Sequence, residues 1–283
     1  MPDSPRLLRG PAAFLSTLLA MAQKELMIML RYPVEFVASF GQIFLIVTVL
    51  TLAGLMFAPR DAGAEGNSTT AGIVVYGFIL FMFLSDTLWT IGYNVRRDQK
   101  QGTLEQLYLS PASKFANLLS RIAVSLVWTG LLCVTSAWLM STLIGRLPAE
   151  NLLPGALVLL FALSGLFGAG FAFAALTLRI KETAQTLANL LQFVFMVLCA
   201  PFFPFSALPE ALQWVARLIP LSYGVDAFRS LLLGLPAGYP ELAPLEVEIA
   251  IVVAFGTLMP IIGYWLYRLE EDSARRRGTL SEY

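Results

Sequence analysis

Six stretches of this chain, residues 34–58, 72–93, 117–145, 153–178, 186–205 and 247–267, are apolar and almost free of charge. About 20 helical residues cross about 30 Å of hydrocarbon, so each stretch is long enough to span a bilayer. Inside hydrocarbon a backbone amide finds no water, and a helix satisfies its own hydrogen bonds. The composition agrees: 57% of residues are hydrophobic, 13% are charged, and the mean hydropathy is +0.72. These values lie far from those of soluble domains. The expectation is an all-α integral membrane protein with six transmembrane helices in a single transmembrane domain, 1–283.

The charges give the topology. Arg6, Arg9, Lys24 and Arg31 precede the first span; Arg96, Arg97, Lys100, Lys114 and Arg121 flank the second connection; Arg179 and Lys181 lie between spans four and five; Arg268, Arg275, Arg276 and Arg277 follow the last. That set holds most of the basic residues, and the opposite side keeps only Arg60, Arg146, Arg217 and Arg229. By the positive-inside rule both termini are cytoplasmic. Residues 11–32 precede the first span, and within them Leu15, Leu18, Leu19, Ala22, Leu26, Met29 and Leu30 share one helical arc while Ser16, Thr17, Gln23, Lys24 and Arg31 share the opposite one. This pattern predicts an amphipathic interfacial helix rather than a cleaved signal. It serves either as a surface anchor or as a lever. Residues 206–235 carry an apolar run interrupted by Arg217, Pro220, Asp226 and Arg229. A pair of short helices that enter the exofacial membrane edge and return is expected there.

Several chemistries are excluded. The chain has no histidine, so the usual general base and the commonest metal ligand are missing. Cys133 and Cys199 fall in separate apolar runs without ligand spacing and read as core residues. No phosphate-cradling G-x-x-x-x-G-K-[ST] motif is present, so an ATP-driven process needs a partner that binds the nucleotide. Asn67-Ser68-Thr69 forms a sequon in an exofacial segment, 61–70, expected to be a short polar loop; 275–283 is expected to be a similar mobile tail.

A polar island, 96–111, separates spans two and three. Within it Thr103 and Gln106 have capping-box spacing, which predicts a short helix over 104–109 that stops before Pro111. A solvated loop helix and a docking surface are both compatible with that spacing. Inside the spans, Asp86 is an ionisable residue near the middle of the second, suited either to a cargo's polar group or to bonding between helices. Gln185, Asn189 and Gln192 share one face of the fifth span, and Ser39 and Gln42 one face of the first. Such stripes line a route, pair across a dimer, or bond neighbouring helices. Ser164, Gly168 and Ala172, with Gly165 and Ala169 beside them, predict a close helix–helix contact in span four. Phe78, Phe81, Phe83, Phe193, Phe195, Phe202, Phe203 and Phe205 provide core, lipid-facing or cargo-facing surface.

The run Arg96-Arg97-Asp98, Gly102-Thr103-Leu104-Glu105-Gln106-Leu107, Ser110-Pro111 resembles the cytoplasmic coupling-helix segment of ABC-2-type permeases, the transmembrane subunits of bacterial and archaeal ABC exporters. Pro204-Phe205-Ser206-Ala207-Leu208-Pro209, Ile219-Pro220-Leu221-Ser222-Tyr223 and Asp226-Ala227-Phe228-Arg229 resemble the family's re-entrant exofacial element before its last span. One departure is Gln101, where the family often has a charge before the Gly-Thr pair; Asp98 provides an acid nearby. The resemblance implies a coupling helix at 99–111 and a homodimer in the inner membrane, each copy receiving one ABC ATPase subunit that carries ATP and Mg. It implies no catalysis and no cofactor on this chain, contact with membrane lipids, and no nucleic-acid partner. Arg96, Arg97, Asp98, Lys100, Gly102, Thr103, Leu104, Glu105, Leu107 and Pro111 are the expected ATPase contacts. Gln42, Asp86, Asn189, Gln192 and Phe193 are the candidates for the translocation path or dimer interface. The implied activity is outward transport of a hydrophobic or amphipathic compound. A polysaccharide or glycolipid cargo and a proton-coupled transporter using Asp86 are the alternatives.

Overall fold

A computed structural model describes residues 33–57, 63–100, 114–145, 147–180 and 183–277, together with residues 16, 19–20, 23–24, 26–27 and 31. Among the described residues all regular structure is helical. The elements are α1 (Pro33–Phe57), α2 (Gly63–Lys100), α3 (Lys114–Ile144), α4 (Leu152–Ile180), α5 (Ala184–Leu198), a 3-10 turn (Phe205–Ala207), α6 (Glu210–Ala216), α7 (Pro220–Leu232) and α8 (Leu245–Arg277). The described residues between 16 and 31 are helical and exposed.

Five helices contain apolar stretches long enough to cross a membrane: Val37–Met56, Ser68–Thr90, Ile122–Leu143, Leu152–Thr177 and Leu245–Ser273. The run expected to form the fifth span, 186–205, becomes the 15-residue α5, which is about 22 Å long at 1.5 Å per residue. The chain leaves the helix at Cys199 and turns through Ala200, whose φ of +43° is left-handed. The apolar residues beyond it are not a continuing helix. They fold back, and Phe202 packs against Phe78 and Phe81 of α2 with ring centroids 5.8 and 5.6 Å apart. Two polar segments expected to be irregular are partly helical instead. Helix α2 begins at Gly63, so Asn67-Ser68-Thr69 lies on a helix and not on a loop tip, and α8 continues to Arg277. Thr70 supports the first of these by donating to the Gly66 carbonyl at 2.9 Å.

Helix α2 is the axis of the bundle, with 78% of its apolar stretch buried against 17% for α1 and for α8. It packs on α1 and α3 on one side and on α4, α5 and α7 on the other. The most extensive pairing is α4 with α8. Small residues make it possible. A Cβ on Gly168 would lie 2.3 Å from the Met259 carbonyl carbon, and one on Gly256 would lie 2.4 Å from the Phe161 oxygen. The face predicted from Ser164, Gly165 and Gly168 is therefore the surface that α8 approaches. Pro260 sits inside α8 and carries no N–H, which leaves the Gly256 carbonyl without its usual donor one turn later. Ser164 of α4 donates to that carbonyl at 2.7 Å. The proline defect is thus satisfied across the helix pair.

Closing this contact is a test of the packing. Gly168→Val should cost at least about 1–3 kcal/mol by overpacking, seen as a lower thermal midpoint in detergent or nanodiscs. Gly41→Ala meets nothing within 4 Å and should leave the midpoint unchanged or slightly higher.

Candidate functional site

The residues singled out in the spans separate into two groups around α2. Asp86 is half-buried and faces α3, where the Ser125 hydroxyl donates to its Oδ2. Thr90, one turn along, lies 3.5 Å from Oδ1 and 2.9 Å from the Ser125 hydroxyl, and Thr129 also bonds the carboxyl. Asp86 is therefore surrounded by hydroxyls supplied by one neighbouring helix and its own next turn. Farther along α3 on the same face lie Cys133 and Ser136, which border a cavity of about 10 Å³ closed by Ile43, Val47, Val75 and Phe78. Among the described residues the buried Ser136 hydroxyl has no hydrogen-bond partner. The cavity is about the size of one water.

On its other side α2 meets α5. Trp89 Nε1 donates to the Gln192 side-chain oxygen, joining the two helices one turn from Asp86. Beside Gln192, Phe193 is 61% exposed, and Trp89 is 42% exposed. Asn189 lies one turn before Phe193 with its Oδ1 buried, and among the described residues neither it nor Gln185 Nε2 finds a partner. Gln192 and Asp86 are thus brought to one stretch of α2. Gln42 is exposed on α1, which packs on α2 and α3. Arg96, Arg97, Asp98 and Lys100 occupy the last turns of α2. Gly102, Thr103, Leu104, Glu105, Leu107 and Pro111, with the helix expected over 104–109, lie outside the described residues.

A second polar centre, at the end of the bundle where α5 turns, was visible in sequence only as interruptions of an apolar run. Pro220 starts α7, in the first-turn position that tolerates its missing N–H. The helix then passes between α2, α4 and α8 with Asp226 and Arg229 fully buried. Arg229 points its guanidinium at the return after α5, donating to the carbonyls of Phe203 at 3.0 Å and Ala200 at 3.3 Å. It pairs with Asp226 at 3.4 Å and Glu241 at 3.3 Å. The rings of Phe205 and Tyr239 lie 5.0 and 5.5 Å from its central carbon.

The carboxylates also accept from backbone amides. Asp226 Oδ2 accepts from Glu241 N at 2.7 Å and Leu242 N at 2.9 Å, and Glu241 accepts from Phe205 N at 3.1 Å and Ser206 N at 2.7 Å. Glu241 therefore sits at the start of the 3-10 turn, where free N–H groups and the local dipole favour an anion. Glu248, in the first turn of α8, accepts from Ala243 N at 3.1 Å and brings its carboxyl against that of Asp226. Burial pushes the Tyr239 hydroxyl up to about 12, with the Arg229 guanidinium opposing and the Glu241 and Asp226 carboxylates reinforcing. This centre ties the return, α7 and the loop into α8 together. The same end of the bundle is fastened to the α3–α4 connection: Tyr76 donates to the Pro148 carbonyl, and Glu150 N donates to Leu232 O at 3.1 Å.

Among the described residues no group of three or more His, Cys, Asp or Glu side chains could hold a metal ion. Compared with known proteins, residues 59–266 match the family described as "ABC-2 family transporter protein". No curated protein matches the chain. The matched region runs from before α2 into α8 and contains both polar centres.

Removing the guanidinium should expose what it holds. Arg229→Leu leaves two buried carboxylates without their cation, a loss of about 3–5 kcal/mol that is expected to appear as a large fall in thermal stability. The double variant Arg229→Leu/Asp226→Leu should lose less than the sum of the single variants, as a double-mutant cycle measures for residues in one network.

Proposed function

The chain belongs to the ABC-2 family of transporter proteins, and from that premise we propose that it is the export permease of an ATP-driven transporter, moving a hydrophobic or amphipathic compound outward. Membership makes it a multi-pass transport subunit that pairs with an ABC ATPase. In the reading proposed here two copies form the channel, both termini are cytoplasmic, the membrane is the inner one, and each copy receives an ATPase subunit at 96–111. ATP and its Mg ion belong to that partner.

The single observation that carries the reading is the placement of α2. This one helix is packed by α1, α3, α4, α5 and α7, and it ends at the basic cluster Arg96, Arg97 and Lys100. A push on its cytoplasmic end is transmitted along a rigid rod to Asp86 and to the Trp89–Gln192 seam. At that seam the Gln192 amide lies beside the exposed Trp89 and Phe193, a combination suited to a cargo with an apolar body and a polar head, while Asp86 faces α3. Gln42, Asn189 and Gln192 line the route or the seam between two copies in this scheme. Residues 11–32 lie along the inner interface, and 206–235 enter the outer membrane edge and return. With α5 and that return counted as one crossing, the chain passes the membrane six times.

Reconstitution separates these elements. The chain alone should hydrolyse no ATP, whereas co-expression with an ABC ATPase encoded beside it should yield a complex that hydrolyses ATP and moves amphipathic dyes outward. Failure to bind any neighbouring ATPase would overturn the ATP-driven reading. In the complex, Glu105→Lys should keep ATP hydrolysis while transport falls; transport at the wild-type level would remove Glu105 from the docking surface.

The route has its own test. Trp89→Ala removes an aromatic surface and an amide partner, and a loss of about 1.4 kcal/mol would raise the half-saturating cargo concentration about tenfold. An unchanged value would place the route elsewhere. Accumulation of a glycolipid in cells lacking the gene, without any change in dye export, would move the cargo to the polysaccharide class.

A further inference from the structure

We propose that α6 is a headgroup anchor: Trp214 sits at the boundary of the outer phospholipid layer, Leu218 and Val215 lie among acyl carbons, and Arg217 binds a lipid phosphate. Helix α6 has only seven residues, Glu210–Ala216, and an isolated helix of that length does not hold itself in water. It is held by a small core of its own, in which Ala200, Phe205, Leu208 and Ala216 are buried and Phe203, Leu212 and Leu242 pack against them. The Gln213 amide donates to the Leu208 carbonyl at 2.8 Å, and the Tyr223 hydroxyl donates to the Arg217 carbonyl at 2.9 Å. These contacts fix which face points away from the protein.

That outward face carries an apolar cluster with one charge at each end, Glu210 in the first turn and Arg217 just past the last. Trp214 is 68% exposed, Leu218 is 81% exposed, and Val215 is exposed beside them. Such a cluster is costly in water and favourable at the edge of a bilayer. The Arg217 guanidinium lies 5.1 Å from the centre of the Trp214 ring, and among the described residues no carboxylate pairs with it. Tryptophan concentrates where hydrocarbon meets headgroups, and a guanidinium matches a phosphate with two parallel hydrogen bonds.

The place of α6 in the fold gives the same depth. It packs on the end of α5, just after the turn at Cys199 and Ala200 that closes the bundle. The last turns of α5, on which α6 packs, also expose Val194 and Val197. An apolar surface beside the end of α5 that carries a guanidinium stacked on an exposed indole fits the phospholipid layer. A second copy of the chain is the competing occupant. It would bury Trp214 but bring no phosphate to Arg217.

The test uses the full chain in phosphatidylcholine nanodiscs, and it reads position rather than transport. The difference in tryptophan fluorescence between the wild type and Trp214→Phe isolates the Trp214 signal. Lipids brominated near the headgroup should quench that signal about twofold more than lipids brominated deep in the chain, and acrylamide should quench it weakly. Arg217→Gln should reduce the shallow quenching, as the ring loses its tether to the phosphate layer. Strong acrylamide quenching without any effect of brominated lipid would show that α6 faces water and overturn the proposal. Protection from both quenchers would show a protein-covered face and overturn it in favour of a second copy. Quenching by shallow lipid that Arg217→Gln leaves unchanged would overturn the phosphate contact.

Discussion

Arg229 is the interaction on which one whole end of this molecule depends. A fully buried guanidinium is costly unless every donor is used. Here the donors are spent on two carboxylates and on the carbonyls left free where the chain turns back after α5. Those carbonyls have no helix to satisfy them, and in hydrocarbon no water would either. The buried cation therefore permits the turn, the turn permits α5 to be short, and the short α5 leaves room for α6 at the edge of the bundle and for α7 between α2, α4 and α8. The carboxylates then capture amides of the connection into α8, so three separate stretches of chain share one electrostatic centre.

The same demand for internal partners recurs at smaller scale. The hydroxyls of Thr48, Thr51 and Thr87 donate to carbonyls one turn earlier, and Ser164 reaches a neighbouring helix to satisfy the carbonyl orphaned by Pro260. The last case couples two features that seem independent along the chain. A proline inside α8 is tolerable because α4 comes close, and α4 comes close because glycines face it. Asp86 follows the rule by another route, its oxygens bonded by hydroxyls from α3 and from its own next turn.

Hydropathy and charge made much of this legible. The helices α1, α3 and α4 follow the apolar runs closely because a spanning helix must be apolar along its whole length. The end of α5 was not legible, since Phe202, Phe203 and Phe205 are as apolar as a spanning segment and yet fold back on α2 and into the small core under α6. Hydropathy reports burial and not the direction of the chain. The polar start of α2 misled in the opposite sense, since Gly63–Thr70 has loop composition but extends a helix already nucleated by its buried part. Of the ionic centre, only the three-residue spacing of Asp226 and Arg229 was a usable signal, one helical turn of opposite charge in an apolar run. Glu241 and Glu248 join it through tertiary folding, which spacing does not encode. The Trp89–Gln192 bond is of the same kind, because it depends on how α2 and α5 are aligned.

The packing also divides the bundle into two bodies. Helices α4, α7 and α8 form one body, joined by close glycine contacts and pinned by the ionic centre. Helices α1 and α3 pack on each other and on α2, and it is on their side that a water-sized cavity and the unpartnered Ser136 hydroxyl are found. Interiors packed to crystal density have low compressibility, and a void removes contacts from the atoms that line it. Helix α2 is common to both bodies and leads toward the polar segment that follows Lys100. On one side its neighbours α1 and α3 border the cavity, and on the other they include the glycine-packed α4 and the buried α7. On the α1–α3 side the hydroxyl-lined face of α3 bonds Asp86, so the polar contact between α2 and α3 continues into the face that borders the cavity.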